Sequence, residues 1–160
     1  MGGEKSVRLE LWRMAVPILW FGMIAAISFI EAPLKFQAPG ITIPLGLGIG
    51  RLVFFALNIA EGLLLAVLLV ISLWPSQARV AASRLRWLFS LAAVFVLKVA
   101  VIRPPLNART DQVLAGAEPG ESPWHYIYIA ADLLTMALLI VLAVQAARAT
   151  VALAKIKPAG

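Results

Sequence analysis

The sequence predicts an all-α fold: an integral membrane antiparallel four-helix bundle with both termini cytoplasmic. Three observations lead there. Of the 160 residues, 62% are hydrophobic, with a mean hydropathy of +0.93, whereas soluble domains are roughly half apolar. Four apolar runs, about 14–30, 51–73, 86–102 and 124–147, approach the ~20 residues that a spanning helix needs. The polar residues inside those runs recur at helical rather than random spacing, so they share faces that can turn away from lipid.

These spans and their short connections take up the chain, which reads as one unit, 1–160, without a separate soluble domain. The formal charge of +6 comes from fourteen Lys and Arg scattered at segment ends. No basic patch interleaved with aromatics forms, so the partner indicated is the lipid bilayer and not nucleic acid. Cysteine is absent, which excludes disulfides, thiolate metal sites and cysteine nucleophiles.

Lys5, Arg8 and Arg13 precede the first span. A cleaved signal peptide is the competing reading, but Ile30 and Glu31 before Ala32 make a poor small-residue cleavage pattern. The opening Met-Gly-Gly-Glu-Lys-Ser fits an N-myristoylation pattern that a spanning helix makes redundant. Residues 31–46 hold three prolines and two glycines, which predict a turn or short interfacial helix where the chain reverses. Gly46, Gly48 and Gly50 lack the strand context of a nucleotide loop and read as close backbone packing. Gly22 with Ala26, and Ala56 with Ala60, form small-residue pairs of the kind that let helices approach.

The second span, from Arg51, is long and apolar enough to cross a bilayer, yet it contains Asn58 and Glu61. At about 100° per residue, Arg51, Asn58, Glu61 and Ser72 fall within roughly 80° of one another, so the stripe should face protein. A carboxyl group at mid-bilayer costs at least about 2.5 kcal/mol against lipid. Pro75, Arg79, Arg84 and Arg86 then form a positive connection flanked by Trp74 and Trp87. The third span carries Lys98 one turn from its end, where it can snorkel outward. Pro104-Pro105 is expected to stop that helix, leaving 103–123 as the longest loop. Ser122 as N-cap and Pro123 at the first helical position open the fourth span.

Lys and Arg set the orientation. One side takes Lys5, Arg8, Arg13, Arg79, Arg84, Arg86, Arg148, Lys155 and Lys157, and the other Lys35, Arg51, Arg103 and Arg109. The richer side belongs in the cytoplasm, which predicts a multi-pass membrane protein with both termini there. No internal repeat of the kind found in many transporters relates the halves.

In the fourth span His125, Tyr128, Asp132 and Thr135 recur at spacings of three and four, a second polar stripe able to meet the first. At 1.5 Å per residue from the non-cytoplasmic edge, Asp132 lies roughly 12 Å deep, Glu61 roughly 15 Å and Lys98 roughly 7 Å, depths compatible with contact. The candidate polar interior is therefore Arg51, Asn58, Glu61, Lys98, Arg103, His125, Tyr128 and Asp132. In it Lys98 is expected to pair with Asp132 or Glu61, Arg51 with Glu31 or the 103–123 loop, and Asn58 to steady Glu61.

The order of features resembles the bacterial four-span proteins of the DUF4149 and TMEM205-like families. The resemblance rests on Ala32-Pro33-Leu-Lys-Phe36 after the first span, Gly50-Arg51-Leu-Val-Phe54 opening the second, and Arg103, Asn107 and His125 late in the chain. Those families show an Ala-Pro-x-x-Phe-like turn and a late histidine. The resemblance implies a multi-pass membrane protein and assigns no chemistry.

Three function classes fit. The leading expectation is a non-enzymatic inner-membrane protein with a polar pocket toward the non-cytoplasmic face, serving a structural, accessory or ligand-binding role, alone, self-associated or within a larger membrane complex. The alternative is a small-solute or proton transporter using Glu61. The third is a redox or cofactor-binding subunit. With His125 the single histidine, a bis-histidine haem within one chain is excluded, and no cofactor is assigned. Single-histidine haem or copper ligation with Met23 or Met136 stays open, although methionine on apolar faces usually packs. No hydrolase motif is present.

Overall fold

The computed structural model describes residues 2–74, 80–120 and 122–156. Pro75, Arg79 and Lys157, assigned above to connections and tail, lie outside them. The described residues form helices and no strands. Four helices are long and apolar enough to cross a membrane: α1, Glu4–Gln37; α2, Ile43–Leu73; α3, Ala82–Leu114; and α4, Trp124–Lys155.

Each helix outruns the span expected for it. At 31 to 34 residues they measure about 45–50 Å, well beyond a hydrocarbon layer of about 30 Å. Hydropathy finds the length that lipid requires. The backbone gains from continuing its hydrogen bonds past those limits, so residues 31–37, 43–50, 103–114 and 148–155 join the helices.

Two proline sites expected to break helices do not. Pro33 and Pro104-Pro105 each follow a π-helical segment, Ala25–Glu31 and Lys98–Ile102, and each occupies the first positions of a new α segment. A proline lacks the amide proton and clashes with the carbonyl four residues back. Widening the preceding turn by one residue removes both conflicts, and an N-terminal position needs no donor. The helix continues past each proline with a phase shift. The expected reversal is confined to a short stretch after Gln37, where Gly40 takes φ +81° and Thr42 caps α2 by accepting the Leu45 amide at 3.4 Å. At the start of α4, Ser122 Oγ accepts the Trp124 amide at 3.4 Å.

The glycines of α2 are packing sites. A Cβ on Gly46 would overlap the Phe36 ring, and one on Gly50 would stand 2.8 Å from Lys35 Nζ. Gly22 differs from expectation, since nothing lies within 4 Å of a Cβ there. Its pairing with Ala26 brings no helix close.

α4 packs most extensively on α1 and next on α3, while α2 lies against α1 and the latter part of α3. The main core gathers Val16, Trp20 and Ile24 from α1, Leu65 and Leu68 from α2, Leu88 and Leu91 from α3, and Leu138, Leu139 and Leu142 from α4. A smaller cluster of Ile102, Tyr128 and Ala131 sits nearer the α4 N-terminus. Polarity is inverted relative to a water-soluble bundle. On α2, Leu52, Phe55, Leu63 and Val70 are exposed while Asn58, Glu61 and Ser72 are buried, the arrangement that suits hydrocarbon outside.

Candidate functional site

Where the four helices meet, Lys98 stands between two carboxylates. Its ammonium donates to Glu61 Oε1 at 2.7 Å and to Asp132 Oδ1 at 2.8 Å, and all three residues are 0% exposed. The expectation that Lys98 would snorkel is corrected: it points inward, because two buried carboxylates cost more without it than its own burial costs. The expected choice between Asp132 and Glu61 resolves as both.

Two residues that the sequence reading passed over complete this array. Trp20 Nε1 donates to Glu61 Oε1 at 3.0 Å, and Ser28 Oγ donates to Asp132 Oδ2 at 2.7 Å. Ser28 belongs to the first π segment and Lys98 opens the second, so both widened turns supply the site, a common place for such turns. One signal was available. Arg13, Pro17, Trp20, Ile24 and Ser28 recur at spacings of three and four, the pattern of an inward face.

Asn58 does not steady Glu61. Its Oδ1 accepts the Tyr128 hydroxyl at 3.3 Å, while its Nδ2, like Glu61 Oε2, is buried without a partner. Tyr128 is held edge-to-face against Phe54 at 5.5 Å and places its ring 5.4 Å from Lys98 Nζ. Thr135 is buried and bonds back to the Ala131 carbonyl at 2.8 Å. Thus Asn58, Glu61, Lys98, Tyr128 and Asp132 are brought together.

The three remaining candidates sit farther out. Arg51 pairs with Asp111, which lies on α3 and not in a loop, while Glu31 pairs with Lys35 at 3.3 Å. The Arg103 guanidinium lies 5.1 Å over the Phe55 ring. His125 is exposed at the rim, with its ring 6.0 Å from that of Tyr126. Between rim and floor lies a cavity of about 470 Å³, within the range of small-molecule sites. Arg51, Arg103 and His125 line its mouth side; Asn58, Tyr128 and Asp132 line it nearer the charged array; Phe29, Phe36, Phe54 and Leu106 supply apolar wall. A larger, more open hollow of about 720 Å³ shares Phe36, Leu47, Leu106, Thr110 and His125 with it.

A second charged cluster ties the other end of the bundle. Arg13, counted above only as a flanking cation, is 3% exposed. It bonds Glu10 at 2.5 Å and donates to the Ile71 carbonyl at 2.7 and 3.1 Å. Arg84 reaches Glu10 at 2.9 Å. The last carbonyls of a helix have no partner within it, so Arg13 caps α2 while joining α1, α2 and α3.

Among the described residues no group of three His, Cys, Asp or Glu could hold a metal ion. No family model matches the chain, and no curated protein or solved structure matches it.

Proposed function

We propose that the chain is a multi-pass protein of a bacterial inner membrane that binds an amphipathic small molecule in the pocket at the non-cytoplasmic end, as a binding or accessory subunit rather than an enzyme. An antiparallel arrangement is part of this reading. It is supported by the order of contacts, since Arg13 meets Ile71 while Trp20 meets Glu61, and the Lys and Arg asymmetry favours an orientation with both termini in the cytoplasm. The likeness to the DUF4149 and TMEM205-like proteins is carried as part of the same proposal and lends no residue a role.

The observation that carries the reading is a cavity of about 470 Å³ whose wall is largely apolar and into which Lys35, Arg51, Arg103, Asn107 and His125 bring a few polar groups. A mostly apolar hollow with a small number of polar groups is the usual form of a small-molecule site. The charged array beneath forms a fixed floor. Native mass spectrometry of the gently extracted protein should show a co-purifying small molecule, and Ala32→Trp, which fills the cavity from its wall, should remove it. No bound mass in the parent, or the same mass in the filled variant, refutes the proposal.

One observation favours a second reading. Two carboxylates share one ammonium, and Glu61 Oε2 has no partner, a composition suited to holding and passing a proton. Under it, Glu61→Gln abolishes proton flux in proteoliposomes while the protein stays folded; unchanged flux removes the idea.

A further inference from the structure

The charges around the pocket are divided unevenly between its wall and what lies behind. Lys35, Arg51 and Arg103 line it, but Glu31 and Asp111, the partners of the first two, do not. Arg103 rests on an aromatic face, and among the described residues no carboxylate pairs with it. The one carboxylate in the wall, Asp132, has its oxygens taken by Lys98 and Ser28. The wall therefore offers three cations and no unpaired carboxylate; its remaining polar groups, among them Asn107, Thr110 and His125, are uncharged amide, hydroxyl and imidazole.

Sequence details keep it so. Gly50 has no side chain to displace the Lys35 ammonium, which a Cβ would approach to 2.8 Å. The ammonium also lies 5.8 Å from the Phe54 ring centroid, held among aromatic carbons instead of free in solvent.

Resting on the binding function proposed above, we infer that the ligand is an anionic amphiphile, its carboxylate or phosphate head drawn to Lys35, Arg51 and Arg103 and its chain leaving past Phe29 and Phe36. Guanidinium groups suit both heads because they donate two parallel bonds to paired oxygens. The chain has an exit, since Phe29 and Phe36 are 39% and 41% exposed on the side where acyl chains would lie. A cationic head would meet three like charges and no free carboxylate. A neutral head would leave Arg103 uncompensated.

The test is a native mass-spectrometric titration of the full chain in neutral detergent with oleate, oleyl phosphate and oleyl alcohol, with inorganic phosphate as competitor. Oleate or oleyl phosphate should bind at least about tenfold more tightly than the alcohol, as expected when charge-assisted bonds replace neutral ones. Which of the two is preferred tells carboxylate from phosphate. Arg103→Gln should erase the preference over the alcohol and Arg103→Lys should retain most of it. Equal binding of all three, unchanged by Arg103→Gln, overturns the anionic head and leaves the pocket function standing. Binding of none, together with no co-purifying mass in the parent, overturns both. Displacement of oleate by inorganic phosphate alone overturns the amphiphile in favour of a small anion. If Arg103→Gln fails to fold, the preference of the parent for anion over alcohol decides the matter by itself.

Discussion

Replacing Lys98 by methionine tests the charged array most directly. The ammonium is 2.7 and 2.8 Å from two carboxylates in a region without exposure. Methionine keeps much of the volume and removes the charge, leaving Glu61 and Asp132 facing each other. Removing one partner of a buried ion pair costs about 3–5 kcal/mol, because the remaining charge is left uncompensated. Glu61→Gln differs in kind, since it keeps the Lys98–Asp132 pair and an acceptor for Trp20. Its expected cost is about 1 kcal/mol, that of one weakened hydrogen bond. Adding Glu61→Gln to Lys98→Met removes one of the two stranded carboxylates, so the double variant should recover about 2 kcal/mol of the loss, within the range measured for coupled neighbours. Reversible unfolding in mixed micelles, followed by circular dichroism, measures all three. A Lys98→Met variant within about 1 kcal/mol of the parent, or a double variant equal to the sum of the singles, would refute the reasoning.

Further tests follow from the packing. Gly46→Ala should destabilise by about 1–3 kcal/mol because its methyl overlaps the Phe36 ring, and Phe36→Leu should restore part of the loss in the same unfolding assay. Gly50→Ala should change stability by less than about 0.5 kcal/mol, since the atom it meets is the flexible end of Lys35. Tyr128→Phe deprives Asn58 Oδ1 of its donor and should cost about 1 kcal/mol. Arg13→Met frees the Ile71 carbonyl and leaves Glu10 to Arg84, with an expected loss of about 2 kcal/mol; thermal melts that overlay the parent would show that this clamp carries no stability.

The polar interior was readable in the sequence for a definite reason. Asn58, Glu61 and Asp132 interrupt apolar runs, and a residue so placed has only protein to face. Helical spacing then put Tyr128 and Asp132 on one stripe. The helix limits were not readable, because Pro33 and Pro104-Pro105 signal termination unless the turn before them widens, and widening depends on tertiary contacts. Trp20 and Ser28 escaped notice for another reason: tryptophan and serine in an apolar run have bland uses, and nothing local marks an indole as donor to a carboxylate 41 positions away. The same holds for Arg13, whose flanking position suited a topological cation and concealed a helix cap.

The buried array also bears on how the protein is made. Glu61 leaves the ribosome 37 residues before Lys98, and Asp132 emerges 34 residues later still. During that interval α2 holds an acid with no counter-ion, a state that lipid disfavours by about 2.5–3.5 kcal/mol. Release of α2 alone into the bilayer is thus opposed, and joint partitioning of α2 with α3 is favoured. The two helices then carry a matched charge pair, Glu61 with Lys98, which waits for the last helix to dock.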